Sequence, residues 1–174
     1  IASTGGTATT RRFDLAYEQL SGQAVLVYSK NATTNELGSR TWDGSSWLAE
    51  DTSNPSGTAN IITWVELTEK PKSDELALAY LTNGSSNNIG AGIWKPTANI
   101  FDNSWTTSYD PTDSNFKSFA IDTTNSVLYA GTYNSTPTDG NIYRCVLSTS
   151  CDAGGDWALS YDLGGAQDEH VQTM

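Results

Sequence analysis

One segment of this 174-residue chain is written three times. Phe13 to Asn31 reads FDLAYEQLSGQAVLVYSKN, and Trp64 to Asn83 answers it with WVELTEKPKSDELALAYLTN. Phe119 to Asn134 answers again with FAIDTTNSVLYAGTYN. Each copy runs through an apolar stretch, a polar turn, a second apolar stretch, an Asn-headed loop and a third stretch. It closes on an Asp/Gly/Asn turn that leads into a Trp: Asp43 to Trp47, Asp102 to Trp105 and Asp152 to Trp157. A repeat of roughly 50 residues belongs to architectures built from one supersecondary unit stacked on copies of itself.

The alternation within each copy predicts strands. Leu15 and Tyr17 alternate with Ala16 and Glu18, while Ala24, Leu26 and Tyr28 oppose Val25 and Val27. Val127, Tyr129 and Gly131 alternate with Leu128, Ala130 and Thr132 in the third copy. These runs are short, β-branched or aromatic, and bounded by Ser21-Gly22, Ser73-Asp74 and Asn125-Ser126. No stretch sustains a helical period; the Glu/Lys-rich Glu66 to Glu75 is split by Pro71 and reads as an extended turn.

The chain is therefore expected to be all-β: three four-stranded antiparallel blades of a β-propeller, forming part of a larger ring or assembly. Residues 11–53, 60–111 and 114–164 are the expected blades. The fourth strands are expected at Ser46 to Glu50, Trp105 to Tyr109 and Trp157 to Tyr161. Residues 1–10 read as a linker or exchanged strand, and 165–174 as the start of a further strand or a tail. Propellers close with about four to eight blades. Three blades are thus read as a fragment of a longer propeller, or as a subunit that completes the ring by association.

The closing turn of the third copy resembles a known pattern. Ser150-Cys151-Asp152-Ala153-Gly154-Gly155-Asp156-Trp157 fits S-x-D-x-G-x-x-W, the Asp box of sialidase-like and related β-propellers. The first copy carries a shortened form around Asp43 and Trp47, and the second keeps Asp102, Ser104 and Trp105. In that class the box is structural: the Asp ties the turn's backbone donors and the Trp packs between blades. The resemblance implies the same roles for Ser150, Asp152, Gly154 and Trp157. Sialidases of this architecture use an arginine cluster on the substrate carboxylate, a Tyr nucleophile paired with Glu, and an Asp acid/base.

This chain offers Arg11, Arg12, Arg40 and Arg144, with no cluster visible in sequence. Tyr17 and Glu18 point to opposite faces of one strand, so they form no nucleophile–base pair. Asp14, Glu18, Glu66 and Asp122 lie on or beside the first strands and are the candidates for paired carboxylates. No catalytic residue is assigned. His170, the single histidine, has no Ser/His/Asp constellation around it.

Charge and cysteines set the environment. The formal net charge of -11 argues against nucleic acid, and no apolar run approaches a membrane span. Cys145 and Cys151 bracket a five-residue hairpin turn and are expected to form a disulfide, which places the chain in an oxidising compartment. Asn31-Ala32-Thr33, Asn83-Gly84-Ser85 and Asn134-Ser135-Thr136 are glycosylation acceptors at one point of the repeat. No cofactor is expected; a structural calcium ion in Asp110 to Asn115 is the one metal left open.

The expected function is a non-enzymatic recognition or scaffold propeller, extracellular or on the cell surface. Its partners would be a glycan, a protein, or further copies or blades of itself. The alternatives are a secreted sialidase-like glycoside hydrolase and a structural subunit of a surface layer or filament.

Overall fold

Period-two alternation with a turn every few residues is satisfied by meandering strands, and that is what the computed structural model contains. It describes residues 10–30, 36–53, 61–83, 89–96, 100–101, 115–133, 141–147 and 157–162. The first sheet is β1 (Phe13–Tyr17), β2 (Ala24–Ser29), β3 (Leu37–Trp42) and β4 (Asp51–Ser53). The second is β5 (Ile61–Glu69), β6 (Leu76–Asn83), β7 (Ile89–Lys95) and β8 (Ile100–Phe101). The third is β9 (Asn115–Asp122), β10 (Val127–Tyr133), β11 (Asn141–Val146) and β12 (Ala158–Asp162). Each is a four-stranded antiparallel meander in chain order. No helix occurs among the described residues.

The last strand of the first sheet departs most from expectation, while β12 lies within one residue of the expected Trp157 to Tyr161. In the first sheet it is Asp51–Ser53, not Ser46 to Glu50. The reason is Trp47, which makes an isolated bridge to Trp42 and holds residues 43–46 as a turn, so regular pairing resumes only later. In the second sheet Ile100–Phe101 already pairs with Trp94 and Lys95. The stretch expected there, Trp105 to Tyr109, lies outside the described residues. Glu66 to Glu69 also belongs to β5, so the turn predicted over Glu66 to Glu75 is confined to residues 70–75.

Strand parity decides how the sheets stack. Ala16, Val25, Val27 and Leu37 of the first sheet meet Leu76, Leu78, Tyr80 and Trp94 of the second in one buried cluster. The opposite parity of the second sheet, Ala77, Ala79, Leu81, Ile89, Ala91 and Ile93, meets Phe119, Leu128, Ala130, Cys145, Leu147 and Trp157 of the third. The middle sheet is thus buried on both faces, and each outer sheet on one. A side chain of Leu or Phe size gains about 1.5–3 kcal/mol from such burial, so the two clusters dominate the stability.

The uncovered face of the first sheet carries Phe13, 62% exposed, and Tyr17, 57% exposed, with Leu15 between them. The third sheet exposes Val146, Leu159 and Tyr161.

Polar ties align the first two sheets. Arg11 bridges in parallel to Trp64: its N–H donates to Thr63 O at 2.9 Å and its carbonyl accepts from Val65 N at 2.7 Å. At the other end of β1, Asp74 Oδ1 accepts from Leu20 N at 2.7 Å and Ser21 N at 2.9 Å. Lys72 N donates to Gln19 Oε1 at 2.8 Å. The two first turns therefore clasp each other.

Candidate functional site

The four carboxylates singled out on or beside the first strands, Asp14, Glu18, Glu66 and Asp122, differ in their surroundings, and those decide what each can do. Asp14 and Glu66 are brought together by Arg11. The Arg11 guanidinium donates to Asp14 Oδ1 at 2.6 Å and lies 3.6 Å from Glu66 Oε2. Asp14 Oδ2 accepts the backbone N–H of Leu67 at 2.8 Å. Both Asp14 oxygens are thereby engaged, one within the first sheet and one across to the second. Arg11 and Glu66 remain partly exposed, where an ion pair contributes about 0–1 kcal/mol.

Glu18 is elsewhere and buried, at 2% exposure. Its Oε1 accepts from Trp94 Nε1 at 2.7 Å and its Oε2 from the Ser21 hydroxyl. Tyr17, next to it, faces solvent, as the alternation requires. Asp122 stays within its own hairpin, accepting from Asn125 Nδ2 at 2.7 Å and Asn125 N at 3.1 Å. Those bonds, the side-chain amide first, lower its pKa. Of the four candidates, the structure brings two together and shows each of Asp14, Glu18 and Asp122 bound to backbone or neighbouring side chains.

The arginines do not cluster. Arg40 lies on β3 of the first sheet and Arg144 on β11 of the third, opposite Leu26 and Tyr129. These partners belong to the uncovered faces of two different sheets, so Arg40 and Arg144 do not share a surface. Arg12 precedes β1, and its backbone carbonyl accepts from Ser29 N at 2.8 Å.

Asp43 shows how one carboxylate can organise a closing turn. Its Oδ1 accepts from Ser46 N, Ser45 N and the Ser45 hydroxyl, each at 2.8 Å. Gly44 takes a left-handed φ of 99°, a conformation glycine adopts without a Cβ clash. Trp42 and Trp47 pack across the turn at 5.6 Å between ring centroids. The Ser46 and Ser45 backbone donors, then the Ser45 hydroxyl, hold the Asp43 carboxyl down from 3.8 to about 2. A folded pKa below the unfolded one adds stability that is present above the unfolded value and lost as pH falls through the folded one. Asp43→Asn is therefore expected to flatten the acid limb between those two values. Urea midpoints measured across that range check this, and an unchanged limb would remove Asp43 from the turn's stability.

Other sequence candidates fall partly outside the described residues. Asp102, Trp105, Ser150, Asp152 and Gly154 lie there, while Trp157 is buried in the cluster between the second and third sheets. Asn31 and Asn134 also lie there, and Asn83 is the last residue of β6. Cys145 is buried on β11, and Cys151 lies outside. Among the described residues no group of three His, Cys, Asp or Glu is placed to hold a metal.

A cavity that sequence reading did not anticipate opens beside β3, between it and residues 48–51, and reaches Trp94 of the second sheet. It has a volume of about 200 Å³ and is lined by Ser39, Arg40, Thr41, Leu48, Asp51 and Trp94 among others. Pairing along β3 slips by one residue there, from Trp42 opposite Trp47 to Ser39 opposite Asp51, and no residue pattern announces that slip.

No protein-family model matches the chain. Its sequence also matches no curated protein. Among solved structures it is similar to the Hadza microbial sialidase Hz136, with a TM-score of 0.51 at 8% sequence identity. The match covers 89% of this chain and 33% of that one, so the chain spans about a third of the sialidase's length. At such identity the likeness concerns fold alone: this is an all-β chain of stacked antiparallel sheets, related in architecture to a sialidase.

Proposed function

We propose that the chain supplies three blades of a propeller that serves recognition or scaffolding at an extracellular or cell surface, rather than hydrolysis. The observation that carries this reading is the use made of the first-strand carboxylates. Asp14 spends both oxygens on Arg11 and Leu67 N, and Glu18 spends both on Trp94 and Ser21. Groups so engaged tie sheets together, whereas a general acid must be free to reach a glycosidic oxygen.

Further blades, of a longer polypeptide or of a second copy, would cover the faces of Phe13, Leu15 and Tyr17 at one end and Val146 and Tyr161 at the other. Glycan or protein ligands would be held by side chains outside the blade cores. The Cys145–Cys151 bridge and the glycans at Asn31, Asn83 and Asn134 belong to the same proposal. Enzymatic deglycosylation and thiol alkylation of the protein from its native source, read by intact mass, test both.

The second reading is a sialidase-like hydrolase, favoured by the architectural likeness and by the Asp14–Arg11–Glu66 grouping. The discriminating assay incubates the protein with a fluorogenic sialoside and, in parallel, with an immobilised glycan panel. Retention on the panel without fluorophore release is the expected result. Release that disappears in Asp14→Asn or Glu66→Gln would replace the recognition reading with the hydrolase.

A further inference from the structure

We propose that the uncovered face of the first sheet docks on the uncovered third-sheet face of a second copy of this chain, so that two copies close one ring of blades. The inference rests on the recognition reading in taking each chain as three blades of a propeller, and it names what covers them.

The first sheet repeats a face that the second sheet already uses as an interface. Across β1, β2 and β3 the rows Phe13–Tyr28–Gly38, Leu15–Leu26–Arg40 and Tyr17–Ala24–Trp42 share one face. The same places in the second sheet hold Val65–Tyr80–Gly90, Leu67–Leu78–Gly92 and Glu69–Leu76–Trp94. Tyr28, Leu26 and Trp42 thus stand where Tyr80, Leu78 and Trp94 stand. Those last three are 3%, 0% and 1% exposed, buried in the cluster shared with the first sheet. On the first sheet the matching face has no sheet over it among the described residues, and Phe13, Leu15 and Tyr17 are exposed side by side on β1. A contiguous apolar patch of this kind marks an interaction surface.

The stack has a direction, which identifies the partner face. Val25 and Val27 of the first sheet hold the places of Ala77 and Ala79 in the second, and each pair faces the sheet that follows in the chain. In the third sheet Leu128 and Ala130 face back to the second. The other parity, with Val127 opposite Val146 and Tyr129 opposite Arg144, therefore lies where a following sheet would pack. Val146 and Tyr161 are exposed there. The first sheet lacks a preceding partner and the third a following one, so each face supplies what the other is missing.

Polar groups on the first-sheet face are paired among themselves, as burial under an apolar partner requires. Tyr28 and Lys30 both donate to Glu50, and Arg40 Nε donates to Leu48 O at 3.0 Å. Closure fixes the number of copies. Two copies bring six blades, inside the roughly four to eight with which propellers close, whereas one copy falls short and three exceed it. The two joints are identical and related by a two-fold axis, which leaves no free end to polymerise.

Sedimentation velocity tests this. A species of twice the 18.7 kDa chain mass is expected, and it should tighten as salt screens the formal net charge of -11 on each copy. Phe13→Ser/Tyr17→Ser spoils the first-sheet face, and Val146→Ser/Tyr161→Ser the third-sheet face. All four side chains are exposed in the single chain, so folding should persist, with circular dichroism as the check. Each double variant carries its change into both joints and should weaken dimerisation at least about a hundredfold. Mixed together, the two share one unaltered joint, and association should return as 1:1 pairs. Should Phe13→Ser/Tyr17→Ser fail to fold, Leu15→Ser carries the same test.

A monomer at every concentration and salt would overturn the proposal, as would polymers that grow with concentration. A dimer that survives either double variant, or one that salt weakens, would also overturn it. Retention of a monomer on the glycan panel would sink the dimer while the recognition reading stands. Fluorophore release from the sialoside by an intact dimer would do the reverse.

Discussion

Gly90→Ala is expected to cost about 3 kcal/mol or more, at the upper end of overpacking penalties, while Gly38→Ala costs about 1 kcal/mol. Both glycines sit directly opposite a tyrosine: Tyr80 faces Gly90 across β6 and β7, and Tyr28 faces Gly38 across β2 and β3. In each pair the tyrosine ring occupies the space where a side chain would stand. A Cβ on Gly90 would lie 2.1 Å from Tyr80 Cζ, and one on Gly38 would lie 2.7 Å from Tyr28 Cζ.

What separates the two is the freedom of the ring. Tyr80 is buried between sheets, and that burial pushes its hydroxyl pKa up. Tyr28 stands on the face of the first sheet that the second does not cover, is 9% exposed against 3% for Tyr80, and donates to the exposed Glu50. Its pKa is pushed up to about 12, by burial first and Glu50 second. Urea unfolding of the two variants, compared at constant m-value, reads the difference. Equal losses would show that Tyr80 is as free to move as Tyr28. Combining Gly90→Ala with Tyr80→Leu should recover part of the loss, as expected of residues in contact.

These pairs also show what the sequence made legible. Tyr28 and Tyr80 stand at the same place in their copies, and glycines recur on the strands that follow. Strand identity followed from local alternation, and β2 and β10 run over the alternating residues read in sequence. The fourth strand of the first sheet did not follow, because the closing Trp looks like a strand start, whereas β12 lies within one residue of the expected Trp157 to Tyr161. Trp47 instead completes a turn organised by Asp43, and the bulge beyond it displaces β4 to Asp51. A bulge is a property of pairing, and pairing between residues twelve apart is not written in either residue alone.

The candidate site was half legible. Asp14 and Glu66 were singled out for lying on first strands, but their meeting depends on Arg11 pairing with Trp64 from the preceding copy. Glu18 carried a signal that local reading passed over. It shares strand parity with Asp14 and Ala16, on the face whose β2 partners are Val25 and Val27. An acidic residue on an apolar face must find buried donors or be excluded from the fold. Only the stacking of the second sheet shows which donors those are.

That stacking makes Glu18 the other position of large effect. Glu18→Ala is expected to destabilise the protein by about 3 kcal/mol, because it deletes a buried acceptor and strands the Trp94 N–H and the Ser21 hydroxyl. Glu18→Gln keeps one carbonyl oxygen for Trp94 and should cost about 1 kcal/mol. Trp94→Phe removes the donor from the other side, with an added packing loss since Trp94 is fully buried. If the bond between them is the tie that joins the first two sheets here, the double variant Glu18→Ala/Trp94→Phe will cost less than the two single losses combined. A coupling of about 1–3 kcal/mol in that cycle is the expected outcome. Strict additivity would mean that Glu18 acts through Ser21 and its own turn alone.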